Sequence, residues 1–275
     1  MLQELSVTRG LSSECSDVAR VSVTSSRFVV SCVVSVACLV GLLGWVDAAN
    51  SALLSTETAP DMRTTQEWRN PGAFAALKTD GSVITWGSPD YGGVSTGVAT
   101  SLSSGVAHIF STEMAFAALK TDGSVITWGN QDYGGNSTSV ATSLSSGVTR
   151  IFSAEYAFAA LKTDGSVITW GESNTGGNSA SVATSLSSGV TRIFSTSFAF
   201  AALKTDGSII TWGDPAQGGD STFEALNTTR APAGSLSSGV TRIFSTHNAF
   251  AALKTDGSVI TWGESHTGVN SASIA

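Results

Sequence analysis

Ala73-Phe-Ala-Ala-Leu-Lys-Thr-Asp-Gly-Ser-Val-Ile-Thr-Trp-Gly87 returns almost unchanged from Ala115, Ala157, Ala199 and Ala249, in three steps of 42 residues and one of 50. Self-similarity at a fixed period is the signature of a repeat architecture, and periods in the low forties belong to blades of four strands. Inside each copy an Asp-Gly pair separates two apolar runs, the pattern of a hairpin with a two-residue turn. Pairing outward from Asp80-Gly81 sets Thr79 opposite Ser82, Leu77 opposite Ile84 and Ala75 opposite Trp86, with Phe74, Ala76 and Val83 on the other face.

Both faces of such a hairpin are apolar, so each must be covered by something else. Val148-Thr-Arg-Ile-Phe-Ser153 and its copies from Val106, Val190 and Val240 supply a further strand, and residues 181–186 a short outer one. A unit of this size cannot fold alone without a disulfide or a metal. The copies therefore stack, and the repeated Trp86, Trp128, Trp170, Trp212 and Trp262 are expected in the core between them. The predicted fold is all-β, a β-propeller of tandem 42-residue blades, five detected, as a closed ring or an open arc.

The succession Ala-Leu-Lys, Thr-Asp-Gly-Ser-Val, Thr-Trp-Gly resembles the repeat of the regulator of chromosome condensation, over residues 62–275. That family implies propellers, usually of seven blades. The short spacing is similar to the compact versions in bacterial β-lactamase inhibitor proteins. The chain departs from the family after Trp-Gly, where it carries Tyr91-Gly-Gly, Tyr133-Gly-Gly, Thr175-Gly-Gly and Gln217-Gly-Gly. Residues 62–72 read as a degraded first strand. Some members of the family regulate a small GTPase or a ubiquitin pathway, and the resemblance implies that alternative for this chain.

Composition narrows the function classes. Fourteen Lys and Arg stand against 21 Asp and Glu, a net charge of −7, and no basic stretch carries stacking aromatics, so nucleic acid is not an expected partner. Cys15, Cys32 and Cys38 all precede the repeats, which leaves the body without thiols. His108, His247 and His266 fall at different positions of different copies, and no acid–base or nucleophile set recurs. The expectation is a non-enzymatic chain with no cofactor and no metal. Its Gly-Gly-Asn-Ser stretches lack the nine-residue period of calcium-binding repeats.

Residues 28–46 are nineteen uncharged positions, twelve of them Val, Leu, Phe or Trp, long enough to cross a hydrocarbon core. Arg27 before and Asp47 after favour the repeats on the far side. The expected organisation is a disordered tail (1–27), a signal anchor (28–46), a linker (47–61) and the repeats (62–275), a single-pass membrane protein with extracytoplasmic repeats. A cleaved signal and secretion is the alternative. In that compartment Asn136 and Asn227 would be glycosylation acceptors.

In a meander, the loops before Ala-Phe and after Trp-Gly share the end opposite the Asp-Gly turns, and variation among the copies collects there. Asp90, Tyr91, Asp132 and Tyr133 lie in one loop set; Glu113, Met114, Glu155, Tyr156, Phe198 and His247 lie in the other. Loops vary where little constrains them, but aromatics on a rigid scaffold also make binding surfaces. This rim is the candidate site for an unidentified protein or glycan, and the first function expected is extracytoplasmic binding or scaffolding.

Overall fold

The structure, a computed structural model, describes residues 69–224 and 228–267. They belong to one compact unit, Asp61–Ala275; residues 1–60 lie outside the described residues. The repeats fold as five antiparallel sheets. Blade 1 is β1 (Ala73–Leu77) and β2 (Val83–Gly87). Blade 2 is β3 (Val106–Ser111), β4 (Ala115–Lys120) and β5 (Val125–Gly129). Blade 3 is β6 (Val148–Ser153), β7 (Ala157–Lys162) and β8 (Val167–Gly171). Blade 4 is β9 (Val190–Ser195), β10 (Ala199–Lys204) and β11 (Ile209–Gly213). Blade 5 adds β12 (Thr228–Thr229) outside β15 (Val259–Glu264), with β14 (Ala249–Lys254) and β13 (Val240–Ser245) following inward.

The hairpin register differs from expectation by one residue. Phe158 pairs with Trp170 and Leu161 with Val167, leaving three residues, Thr163-Asp164-Gly165, in the turn. Lys162 N–H donates to Ser166 O at 2.9 Å, and Gly165 N–H donates to Lys162 O at 3.0 Å. Asp164 caps the loop: its Oδ1 accepts from Ser166 N–H at 2.9 Å and from Ser166 Oγ at 2.6 Å. Gly165 supplies the positive φ of 77° that closes the turn. The slip moves the aromatic pair onto one face, where Phe158 and Trp170 stack with centroids 5.1 Å apart.

Each inner blade therefore has two unlike faces. In blade 3 one carries Phe158, Ala160, Ile168 and Trp170, and the other Ala157, Ala159, Leu161 and Val167. The aromatic face of blade 3 packs on Ala115, Ala117, Leu119 and Val125 of blade 2. The small-residue face of blade 3 receives Phe200 and Trp212 of blade 4. The same fit joins blade 1 to 2 and blade 4 to 5. Large rings fill the space left by alanines, so the facing sheets approach closely without voids. Trp170 Nε1–H also donates to Gly134 O of the preceding blade at 3.1 Å, a bond repeated by Trp128, Trp212 and Trp262.

The outer strand expected at 181–186 does not form. Asn178 Oδ1 accepts from Ala180 N–H at 2.9 Å and turns the chain into a 3-10 segment, Ala180–Val182. Leu186 then drops into the core, 1% exposed, and its carbonyl accepts from Val167 N–H at 3.0 Å. Among the described residues blades 2–4 are accordingly three-stranded, and only the insertion before blade 5 supplies a fourth strand. The repeated Lys ties neighbouring segments together: Lys162 Nζ donates to Ser143 O at 2.6 Å.

At the two ends of the described array, apolar side chains that are buried in the inner blades are exposed. Trp128, Trp170, Trp212 and Trp262 are buried as expected, but Trp86 is 48% exposed, because among the described residues no blade precedes it to cover its face. Residues 62–68 of the degraded strand lie outside the described residues.

The single-pass membrane localisation is corrected: among the described residues no helix is long and apolar enough to cross a membrane. Residues 28–46, on which that expectation rested, lie outside the described residues, as do the tail 1–27 and the linker 47–61.

The Asp-Gly tips make one pH prediction. The bonds from Ser82 hold the Asp80 carboxyl down at about 2, below its ordinary 3.8, and Asp122, Asp164, Asp206 and Asp256 shift the same way for the same cause. A depressed carboxyl contributes stability that is full above its unfolded pKa and lost as pH falls through the folded one. Unfolding measured from pH 5 down to 2 is expected to show stability falling below about pH 4, with Asp164→Asn, which keeps an acceptor, flattening the dependence. An unchanged slope in a variant with all five Asp replaced by Asn would remove the tips as its source.

Candidate functional site

Ordinary strand pairing brings the two rim loops together. Glu172 N–H donates to Tyr156 O at 3.0 Å, and Asp214 N–H to Phe198 O at 2.8 Å, closing each blade at the end opposite its Asp-Gly turn. Gly171 is needed there: at φ 106°, any Cβ would lie 2.6 Å from Tyr156 O.

Successive blades are then tied to one another by main chain. Glu113 N–H donates to Glu155 O, Glu155 N–H to Ser197 O and Ser197 N–H to His247 O, each at 2.8 Å. Equivalent positions of four blades thus form one hydrogen-bonded row. Ser197 is fully buried, and its Oγ lies 2.8 Å from both His247 Nδ1 and His247 O. His247 Nδ1 also stands 2.7 Å from Asn248 Oδ1, and Asn248 Nδ2 donates to Glu264 at 2.6 Å.

Aromatic rings accompany this row. Tyr133 of blade 2 meets Tyr156 of blade 3 at 4.7 Å between centroids, and Tyr156 meets Phe198 of blade 4 at 6.2 Å. The acids belong to the same cluster. Burial raises the Glu155 carboxyl, opposed by a hydrogen bond with Tyr156 and reinforced by the like charge of Glu113. Burial and both carboxylates push the Tyr156 hydroxyl up as well, so it stays protonated as a donor to them.

Glu113, Tyr133, Glu155, Tyr156, Phe198 and His247 thus share one surface, and the other expected rim residues sit apart from it. Tyr91 packs over Gly72, where an added Cβ would meet its ring at 2.4 Å. Asp90 is exposed in the turn of blade 1. Asp132 lines an open cleft of about 720 Å³ along β8, on the side of Trp170 and Glu172. Met114 is half-buried, and its carbonyl accepts from Asn130 N–H at 2.9 Å. Asn136 is an exposed cap whose Oδ1 accepts from Thr138 N–H and Oγ1, as Asp220 does for Thr222. Asn227 lies outside the described residues.

Sequence reasoning missed Ser197, Asn248 and Glu264. The signal was present: Ser197 and His247 occupy the place of Glu113 and Glu155 in other copies. Among the described residues no group of three or more His, Cys, Asp or Glu side chains is placed to hold a metal ion.

No family model and no curated protein matches the chain. Solved structures do resemble it. Human WBSCR16 aligns at 17% identity and a TM-score of 0.43, over 70% of this chain and 60% of that one. The CRINKLY WD40 ectodomain of the Arabidopsis thaliana receptor kinase ACR4 aligns at 16% and 0.43, over 73% and 65%. Yeast RCC1 (Prp20), solved bound to Kap60, aligns at 15% and 0.41, over 75% and 55%. The chain thus spans less than two thirds of the length of each. In its repeat the chain resembles the regulator of chromosome condensation, and yeast RCC1 is among the solved structures to which it is similar.

Proposed function

We propose that this chain is a non-catalytic protein-binding scaffold whose rim receives a basic side chain of its partner. The observation that carries the reading is the continuous Tyr133–Tyr156–Phe198 cluster with Glu113 and Glu155 beside it. Aromatic faces and carboxylates attract the same ligand group, a Lys ammonium or an Arg guanidinium, the first through the ring quadrupole and the second through charge. Main-chain bonds between blades hold the cluster, so little ordering remains to be done on binding. The chain's net charge of −7 favours the approach of a basic partner.

The test is binding of an immobilised peptide library, basic against neutral, beside a panel of neutral oligosaccharides. Arg- and Lys-containing peptides are expected to bind, and Tyr156→Ala to weaken them by roughly tenfold or more, as removal of a central anchor does. Asp90→Asn serves as the unaffected control. Because the Glu155 carboxyl is raised, it gains a proton before ordinary carboxylates as pH falls, so affinity should drop on mild acidification and the drop should be smaller in Glu155→Gln. Retention of oligosaccharides alone would replace the protein reading with a glycan one. Full-strength peptide binding by Tyr156→Ala would remove the rim as the site.

A further inference from the structure

The last uncovered faces of the array are the two halves of a contact that the chain already makes four times. On blade 1 the aromatic face is bare: Phe74 is 63%, Ile84 50% and Trp86 48% exposed. In blades 2–5 the corresponding Phe and Trp are all 5% exposed or less. On blade 5 it is the small-residue face that opens: Ala249 stays buried, but Ala251 and Leu253 are half-buried and Phe244 is 42% and Val259 50% exposed, against 7–9% for Val125, Val167 and Ile209 at the place of Val259. The hairpin tips agree. A Cβ on Gly81, Gly123, Gly165 or Gly207 would strike the next blade within about 3 Å, while one on Gly257 would meet nothing within 4 Å.

We propose that a second copy of this chain covers these faces, blade 5 of one copy packing on blade 1 of the next. The occupant follows from the residues themselves. Phe74, Ala76, Ile84 and Trp86 repeat Phe116, Ala118, Ile126 and Trp128, which pack on the small-residue face of blade 1. Ala249, Ala251, Leu253 and Val259 repeat Ala115, Ala117, Leu119 and Val125, which receive Phe158 and Trp170. The two bare faces therefore have the shape and composition of a junction that is formed between every pair of neighbours inside the chain. Both are exposed at once within one chain, so the pairing is not satisfied internally. Removing apolar area of this kind from water favours the contact. The contact joins unlike surfaces, so it propagates: each added copy presents a fresh face until the assembly closes into a ring.

Sedimentation velocity of the full chain over a concentration series tests this. The wild type is expected to form species beyond the dimer. Trp86→Glu and Val259→Lys, each at an exposed position and checked for an unchanged circular dichroism spectrum, are expected to run as monomers. Mixed in equal amounts they should give a dimer that grows no further, since Trp86→Glu keeps a working blade 5 face and Val259→Lys a working blade 1 face. Trp86→Phe should assemble as the wild type does. A wild type that stays monomeric overturns the proposal, whether its own ends or residues 1–68 cover the faces. So does assembly of either charged variant alone, or a mixture that stays monomeric.

Discussion

Trp170→Ala is expected to lower stability by about 3–5 kcal/mol, and Trp86→Ala by about 1 kcal/mol or less. The two residues are copies of one position and stack on their Phe partners at nearly the same centroid distance, 5.1 and 5.2 Å. They differ in what lies on the far side of the ring. Trp170 is 3% exposed against the alanines of blade 2, and its indole N–H satisfies Gly134 O. Its removal opens a cavity that sheets on both sides cannot collapse to fill, and leaves that buried carbonyl unpaired. Trp86 faces no preceding blade and loses little more than its stacking on Phe74. Urea unfolding of both variants decides the matter. Equal losses would mean that the inter-blade contact contributes nothing beyond the hairpin's own pairing.

Gly177→Ala should cost about 3 kcal/mol, at the upper end of what a forced backbone shift in a packed region costs. The new Cβ would lie 2.3 Å from Gly171 O and 2.7 Å from Glu172 O. Neither is the tip of a flexible side chain, so relief requires the rim loop to open, and with it the bond from Gly177 N–H to Glu172 O at 2.8 Å. Gly97→Ala is the matched control: nothing stands within 4 Å of its Cβ position, and its effect should stay within about 0.5 kcal/mol. Thermal unfolding of the pair reads the difference. A Gly177→Ala protein as stable as the control would show the loop to be far softer than its contacts imply.

How much of this was legible in the sequence depended on how local the cause was. Period, strand pairs and the burial of four tryptophans followed from the repeat itself. The register did not, because Asp-Gly serves two turn types: the expected two-residue turn needs positive φ at both residues, whereas here Asp80 caps Ser82 and Gly81 supplies the left-handed conformation of a three-residue turn. Residues 181–186 alternate Val, Thr and Leu among small residues, which suits a strand as well as a turn. The hydrogen bond from Asn178 that decides between them comes from outside that window. At the rim, sequence placed the residues at the correct end but could not say which would meet. Tyr133 and Tyr156 touch because they lie on different blades, 23 residues apart, while Tyr91 is held over Gly72 by its own blade. The exposure of Trp86 was equally hidden, since its local sequence is nearly identical to that of the buried copies.

The sameness of the four junctions bears on how the chain reaches its folded state. The Phe, Trp and alanine faces, present in every copy, cannot by themselves tell the correct neighbour from the next one along. Through these faces blade 2 fits the surface meant for blade 4, and the short tether between consecutive copies favours the proper order. Skipped pairings formed early would be native in every local contact and wrong in sequence, and would have to dissociate before folding could finish. What distinguishes a neighbour is the 50-residue step before blade 5, with its extra β12 strand, and the rim pairs that differ between junctions, such as Tyr133 with Tyr156 and Ser197 with His247. Refolding from denaturant should therefore be multiphasic, with a slow phase that shortens when the blades are made chemically distinct.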